Sequence, residues 1–351
     1  SNNTSVYGSA INNNYVDANT SLTVNAKTIF SNNSAQYGGA IYGNASMNIT
    51  SATFDSNISK RDSDYENSGV GGAIFADSNE NISDKLFTVT SSTFTSNKSY
   101  VAGGAVYNKS DKASISKSTF TSNSSKDGGA LYNKGDEFNS SNNKYTSNIA
   151  SNSGAAIYNE NVLVSTKDTF NANNSNRYGA AVYNAANANM TITSGVFTSN
   201  TSGMYGGAIY NDGRISIEST TFGNATSKYN AANYAMSAGV FYNAGNASIT
   251  GSTFTYNTAL ISAGGVYSNN YLTVTNSKFT NNKVTNPTGG IGGALFIDAN
   301  ESGSSYANVA GSTFTNNEAS IGGAIANIGN LEIVSSGSGK KLVKTTFKSN
   351  K

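Results

Sequence analysis

The apolar residues of this chain fall in short runs at every second position, with polar residues between them. Ile215 and Ile217 flank one polar residue, and the same spacing recurs in many other places. Alternation of this kind indicates half-buried β-strands, and apolar runs with the period of a helix are absent. The pattern therefore predicts an all-β chain of many short strands.

Two short motifs alternate along the chain and define a repeat unit. One is Gly-Gly-Ala followed by an aliphatic and an aromatic residue, as at 38–42, and the other is Phe-x-x-Asn, as at 94–97. Where no insertion lengthens the unit, successive copies of one motif are about 25 residues apart, as from Phe94 to Phe120. That length fits three short strands and three corners. One unit cannot bury its apolar face alone, but stacked units bury a continuous column.

The repeat predicts a right-handed parallel β-helix, a β-solenoid of about twelve coils with three short strands each. We expect one domain over residues 1–351, an excerpt of a longer surface protein. The small residues that open the first motif let the backbone turn, or pack closely where a Cβ would clash. The Asn of the second motif is expected to adopt the left-handed conformation and to bond the next coil, giving an Asn ladder.

The aromatic residue of Phe-x-x-Asn is predicted to form an inward structural ladder along the solenoid axis. Tyr145 is a conservative variant, and Phe222 lacks the Asn that should follow it. The predicted ladder consists of Phe30, Phe54, Phe94, Phe120, Tyr145, Phe170, Phe197, Phe222, Phe254, Phe279, Phe314 and Phe347.

The aromatic residue of the Gly-Gly-Ala motif lies next to an inward aliphatic residue, so strand alternation turns it outward. An exposed aromatic stripe is a candidate contact surface for sugar rings or for another solenoid. The alternative is a self-stacking ladder that only stiffens the scaffold. The candidate contact surface consists of Tyr42, Phe75, Tyr107, Tyr132, Tyr158, Tyr183, Tyr210, Tyr242, Tyr267 and Phe296.

The composition of the chain restricts the partners, catalytic groups and metal ligands that can be expected. Charged residues are 12% of the chain and the net charge is +2, without a basic stripe, so nucleic acid is not expected as a partner. Cys and His are both 0, which removes thiolate sites, the commonest catalytic base and the commonest metal ligand. We expect no catalytic residue, cofactor or metal. Since there is no run of 18 apolar residues, we expect no membrane insertion by this segment.

Two other features have ordinary explanations. The acidic segment at 62–66 could offer carboxylates to Ca²⁺, but it lacks the Gly and distal Glu of an EF-hand loop, which favours a solvated charge cluster. Thr-x-Thr arrays such as 93–95 and 119–121 occur in ice-binding solenoids, yet Asp55 and Lys278 interrupt the array. The β-propensity of Thr accounts for these residues adequately.

The two motifs together resemble the polymorphic outer-membrane proteins of chlamydiae, and equally the repeat passengers of autotransporters and adhesin-like β-helix repeats. The resemblance covers nearly the whole chain. It implies a non-enzymatic, secreted adhesin passenger displayed at the cell surface, on a bacterial outer membrane or cell wall. Its expected partner is a receptor or glycan on a host or neighbouring cell, or another copy of the chain. A β-helix protein that binds or degrades polysaccharides is the alternative, and an ice-binding solenoid a remote one.

Overall fold

The computed structural model describes residues 1–17, 20–25, 27–65, 67–77, 85–224, 233–299 and 303–351. Within these ranges the chain is all-β apart from one 3-10 turn, Gly339–Lys341, and no helix there is long and apolar enough to cross a membrane. The contacts divide the chain into two compact units, residues 1–175 (unit 1) and 176–351 (unit 2). Each unit is a parallel β-solenoid of six coils.

Each complete coil passes through four sheets rather than three. In one coil of unit 1 the chain follows Ile41–Gly43, Ser46–Thr50, Thr53–Asp55 and Ile58–Ser59 in turn. We call the corresponding sheets the tyrosine, aliphatic, phenylalanine and short sheets. The prediction of a parallel β-helix with about twelve coils is confirmed, and the short sheet is an addition that the repeat did not reveal.

Unit 1 contains six strands of each kind. Its tyrosine sheet contains Ile11–Asn13, Ile41–Gly43, Ile74–Ala76, Val106–Asn108, Leu131–Asn133 and Ile157–Asn159. Its aliphatic sheet contains Ser21–Val24, Ser46–Thr50, Leu86–Thr90, Lys112–Ser116, Glu137–Ser141 and Val162–Thr166. Its phenylalanine sheet contains Ile29–Ser31, Thr53–Asp55, Thr93–Thr95, Thr119–Thr121, Lys144–Thr146 and Thr169–Asn171. Its short sheet contains Ser34–Ala35, Ile58–Ser59, Lys98–Ser99, Ser124–Asp127, Ile149–Ser153 and Asn174–Ser175.

Unit 2 repeats this order with a smaller short sheet. Its tyrosine sheet contains Val182–Asn184, Ile209–Asn211, Phe241–Asn243, Val266–Ser268, Leu295–Ile297 and Ile325–Asn327. Its aliphatic sheet contains Asn189–Thr193, Arg214–Glu218, Asn246–Thr250, Tyr271–Thr275, Tyr306–Ala310 and Asn330–Val334. Its phenylalanine sheet contains Val196–Thr198, Thr221–Gly223, Thr253–Thr255, Lys278–Thr280, Thr313–Thr315 and Thr346–Lys348. Its short sheet contains Thr201–Ser202, Tyr234–Ser237, Thr258–Ser262 and Lys283–Val284.

The core of each unit contains a stack of aromatic rings from the phenylalanine sheet. Pairing is in register, so equal motif positions lie side by side, as Phe94 does beside Phe120. The centroids of these two rings are 4.6 Å apart and their planes differ by 2°. In unit 2, Phe254 and Phe279 stack at 4.5 Å. Most of these rings are fully buried, whereas Phe347 is 48% exposed.

A buried row of Asn side chains lines the corner after each phenylalanine strand. The Asn97 side-chain amide donates to the Phe54 carbonyl at 3.0 Å and to Asn123 Oδ1 at 3.0 Å. Asn97 Oδ1 in turn accepts from the backbone and side-chain N–H groups of Asn57. The expectation of a left-handed Asn was wrong, because the residue before it, such as Ser96 with φ 54°, takes that conformation.

The break predicted after Phe222 is closed by a residue further along the chain. Asn233 is fully buried, and its side chain donates to the Phe197 carbonyl at 3.1 Å and to Asn257 Oδ1 at 3.0 Å. It also accepts from the Asn200 side chain at 3.0 Å. The Asn ladder of unit 2 therefore continues through a coil whose sequence motif is interrupted.

The corner before the phenylalanine strands contains one buried carboxyl group in unit 1. Asp168 Oδ1 accepts from the Asn143 backbone N–H at 2.7 Å, and Oδ2 accepts from the Ser165 hydroxyl at 2.7 Å. Burial raises the pKa of Asp168 to about 6, although these hydrogen bonds lower it. Asn143, one coil earlier, donates its side-chain amide to the Ser140 hydroxyl at 3.0 Å, so an amide fits the same surroundings.

We expect Asp168→Asn to stabilise the protein at neutral pH and not at pH 4. In the unfolded chain an Asp has a pKa of about 3.9, so above pH 6 the folded state must hold a buried carboxylate, at a cost of about 2–3 kcal/mol. At pH 4 the folded carboxyl is protonated and the unfolded one is half protonated, so the cost falls to about 0.5 kcal/mol or less. Urea unfolding of both proteins at pH 4 and pH 7.5 measures the difference. An equal difference at both pH values would contradict the assignment.

Candidate binding surface

The ten aromatic residues predicted as a contact surface (the aromatic row) occupy the middle positions of tyrosine-sheet strands. In-register pairing places Tyr107 beside Tyr132. None of the ten is fully exposed. Four are buried, at 5–9% exposure, namely Tyr42, Phe75, Tyr267 and Phe296. Six are half-buried, namely Tyr107, Tyr132, Tyr158, Tyr183, Tyr210 and Tyr242. The aromatic row is therefore less accessible than strand alternation alone suggests.

Stacking within the aromatic row occupies most ring faces. In unit 1, Tyr132 and Tyr158 stack with centroids 4.7 Å apart and planes 3° apart. In unit 2, Tyr210 and Tyr242 stack at 5.0 Å and 4°. Rings that cover one another present mainly their edges and hydroxyl groups to solvent. Along these stretches the row has the geometry of a self-stacking ladder that stiffens the sheet.

The stack is interrupted at Phe75 in unit 1. The ring of Phe75 stands at 80° to that of Tyr42 and at 90° to that of Tyr107, with centroids 5.4 and 5.1 Å away. Each tyrosine therefore meets Phe75 in an edge-to-face arrangement instead of a parallel stack. The interruption gives this part of unit 1 a surface that differs from the regular stack.

A second row of side chains runs beside the aromatic row, one residue before each Gly-Gly pair. In unit 1 the row includes Tyr7, Tyr37, Val70 and Ala102, joined by single parallel bridges between coils. Tyr7 and Tyr37 stack at 4.9 Å, and the row then narrows to the smaller Val70 and Ala102. The change in size opens a groove above Phe75.

The groove of unit 1 has a volume of about 450 Å³. Its floor and one wall are aromatic or apolar, and its other side is polar and charged. The lining residues are Tyr7, Tyr37, Tyr42, Asn67, Val70, Phe75, Asp77, Val101, Ala102, Tyr107, Lys109, Tyr132 and Lys134. An apolar floor with a few placed polar groups is the usual composition of a small-ligand site.

The charged rim of the groove consists of side chains that directly follow the tyrosine strands. Lys109 Nζ lies 3.2 Å from Asp77 Oδ1, and Lys134 Nζ lies 3.6 Å from Glu160 Oε2. The Tyr42 hydroxyl donates to Asp77 Oδ2 at 2.9 Å. The Tyr132 hydroxyl donates in the same way to Glu160. Burial, together with the carboxylate of Asp77, raises the pKa of Tyr42 well above its ordinary value, so this phenol stays a donor.

The acidic segment at 62–66 forms a local turn over the residues that the structure describes. The Asp64 backbone N–H donates to Asp62 Oδ1 at 3.0 Å, and the Asp62 N–H donates to the Ser68 hydroxyl at 2.8 Å. Glu66 lies outside the described residues. Among those described, no three or more acidic side chains are grouped so that they could hold a metal ion.

The Thr-x-Thr arrays lie on the phenylalanine sheet and pair in register for part of unit 1. Thr93 pairs with Thr119, and their hydroxyl oxygens are 3.4 Å apart. The next coil places Lys144 in this column, and the preceding coil places Asp55 in the column of Thr95. The flat Thr face is therefore two coils wide before charged side chains interrupt it.

Sequence reasoning missed the residues that make the groove. Tyr37 precedes the Gly-Gly pair and Asp77, Lys109 and Lys134 follow the motif, so all four lie just outside the pattern that defines the repeat. Aligning the coils by motif would place Tyr7 and Tyr37 in one column and the charged residues in another. That alignment shows which residues share a column. It does not show that the change from Tyr37 to the smaller Val70 opens the groove.

Comparison with known proteins identifies the repeat. The sequence model of the Chlamydia polymorphic membrane protein repeat matches residues 27–44, 91–109, 117–134 and 194–212. Each matched segment begins near a phenylalanine strand, passes the Asn corner and ends after a tyrosine strand. No curated protein and no solved structure matches the chain significantly.

Proposed function

Because the chain carries repeats of the Chlamydia polymorphic membrane protein type within a parallel β-solenoid, we propose that it is a non-catalytic, surface-displayed adhesin passenger. It attaches cells through a receptor or glycan on a host or neighbouring cell, or through another copy of itself. The matched segments carry this proposal, since each contains both motifs of the repeat. The family description supports a location at the cell surface.

The distribution of polar groups supports a scaffold with a binding role. The corner Asn and Ser side chains bond the neighbouring coils. The Asn97 side chain donates to Asn123 Oδ1, and the Ser118 hydroxyl accepts from the Ser92 backbone N–H. These polar residues are occupied in holding the coils together. The surfaces that can contact a partner are therefore the aromatic row, the row beside it and the groove of unit 1. The carboxylates at the rim of this groove form ion pairs with Lys side chains.

We expect beads coated with the chain to attach to cells or to clump with one another. Beads coated with albumin provide the baseline, and soluble chain should compete in a dose-dependent way. Mixing coated and uncoated beads separates self-association from attachment to a second surface. Attachment and clumping at the albumin level would contradict adhesion. Release of reducing ends from pectin, alginate or chitin would instead support a polysaccharide-degrading solenoid.

A further inference from the structure

We infer that the groove of unit 1 binds an extended, neutral, β-1,4-linked oligosaccharide that lies along the stacking direction of the coils. The inference rests on the proposed function and names the chemical class of its partner. It uses the aromatic wall, the two rim ion pairs and their spacing.

The apolar part of the groove suits the C–H face of a pyranose ring. Tyr37 stacks on Tyr7 on one side, and the next residue of its own row is the smaller Val70. The Tyr37 ring lies 6.2 Å from Phe75 and is tilted by 32° to it. The electron-rich faces of such rings attract the weakly positive C–H groups of a sugar.

The rim offers a donor and an acceptor side by side. Lys109 Nζ and Asp77 Oδ1 are 3.2 Å apart, a separation that suits two neighbouring hydroxyl groups of one sugar ring. One hydroxyl donates to the carboxylate and the other accepts from the ammonium group. Lys109 has three N–H donors, of which Asp77 takes one, and the others have no partner among the described residues. The Tyr42 hydroxyl holds Asp77 in place, so the acceptor is oriented before a ligand arrives.

The spacing of the ion pairs suits a polymer with a repeating unit. Asp77, Lys109, Lys134 and Glu160 follow the tyrosine strands of four consecutive coils. The centres of the Asp77–Lys109 and Lys134–Glu160 pairs are therefore two coils apart, about 10 Å at the usual strand spacing. That distance is the length of one disaccharide unit in an extended β-1,4-linked chain.

The charge and size of the groove favour a small, uncharged ligand. Two carboxylates and two ammonium groups balance at the rim, which favours neither an acidic nor a basic ligand. A volume of about 450 Å³ falls in the range of small-ligand sites. A stable protein partner would instead need about 800 Å² of buried surface on each side.

The test is calorimetric titration of the whole chain with cello- and chito-oligosaccharides of two and four sugar units. We expect the tetrasaccharide of the recognised sugar to bind at least about tenfold more tightly than its disaccharide, because it spans both ion pairs. Lys134→Ala should reduce tetrasaccharide affinity to the level of the disaccharide. Tyr37→Ala should weaken both ligands by about tenfold, and Lys144→Ala, on the exposed phenylalanine-sheet face, should change neither.

Several outcomes would overturn the inference. One is the absence of saccharide binding by a chain whose coated beads still attach to cells, and this result would leave the adhesion proposal intact. Another is equal binding by wild type, Tyr37→Ala and Lys134→Ala, each with an unchanged unfolding midpoint. Binding of acidic polysaccharides alone, lost in 0.5 M salt, would point to charge attraction instead. Saccharide binding without bead attachment would support the groove and count against adhesion.

Discussion

Asn97→Ala is expected to lower the free energy of unfolding by about 3–5 kcal/mol. The Asn97 side chain makes hydrogen bonds to the coil before it and the coil after it, at a position with no solvent exposure. Its removal leaves both N–H groups of Asn57 that face Asn97 without partners, and the Phe54 carbonyl loses one of its donors. Each buried polar group left unsatisfied costs about 1–3 kcal/mol. The chain contains no Trp, so urea unfolding is followed by far-UV circular dichroism.

Asn139→Ala provides the matched control. Asn139 belongs to the aliphatic strand Glu137–Ser141 but faces solvent, so the same truncation should change stability by less than about 0.5 kcal/mol. The contrast separates the Asn ladder from the general effect of replacing Asn in a strand. If Asn97→Ala cost no more than Asn139→Ala, the ladder would have no role in holding the coils together.

The repeat made the fold predictable from sequence. The spacing between copies gave the coil length, and strand pairing in register followed from the identical motifs. The aliphatic and aromatic positions of each coil then had to lie in columns, as Phe94 and Phe120 do. Family resemblance pointed to the same architecture, and the four matched segments support it.

The short sheet was not predictable because its strands carry almost no pattern. Ile58–Ser59 and Lys98–Ser99 are two residues long and mix apolar, polar and charged residues. Such segments pair because the flanking corners bring them together, and alternation needs at least four residues to be recognised. Asn233 escaped notice for a related reason, since an insertion separates it from Phe222.

The groove depends on side-chain size, which a repeat average conceals. The column of Tyr7 and Tyr37 continues with Val70 and Ala102, and only the packed structure shows that this step uncovers the surface beside Phe75. The ring rotation at Phe75 is also a packing outcome. Strand alternation predicts an outward aromatic row, yet it could not show that the rings would cover one another.

The second Gly of the Gly-Gly-Ala motif allows the closest approach between coils, and Gly104→Ala tests it. A Cβ at Gly104 would lie 1.9 Å from the Gly129 carbonyl oxygen and 2.6 Å from that of Ser124. Both contacts are with backbone, which cannot rotate away. We expect a loss of at least about 3 kcal/mol in unfolding free energy, measured by urea unfolding, with reduced soluble yield.

Ala180→Gly is the matched control, because Ala180 occupies the same motif position in unit 2. There the inter-coil hydrogen bond from the Ala180 N–H to the Gly206 carbonyl is 3.3 Å long, against 3.0 Å from Gly104 to Gly128. This coil already holds a methyl group at that position, so removing it should cost only about 0.5–1 kcal/mol through greater freedom of the unfolded chain. If Gly104→Ala lowered the unfolding free energy by no more than Ala180→Gly does, the coils could separate easily to admit a methyl group. Close approach of the backbones would then not determine which residues the motif accepts.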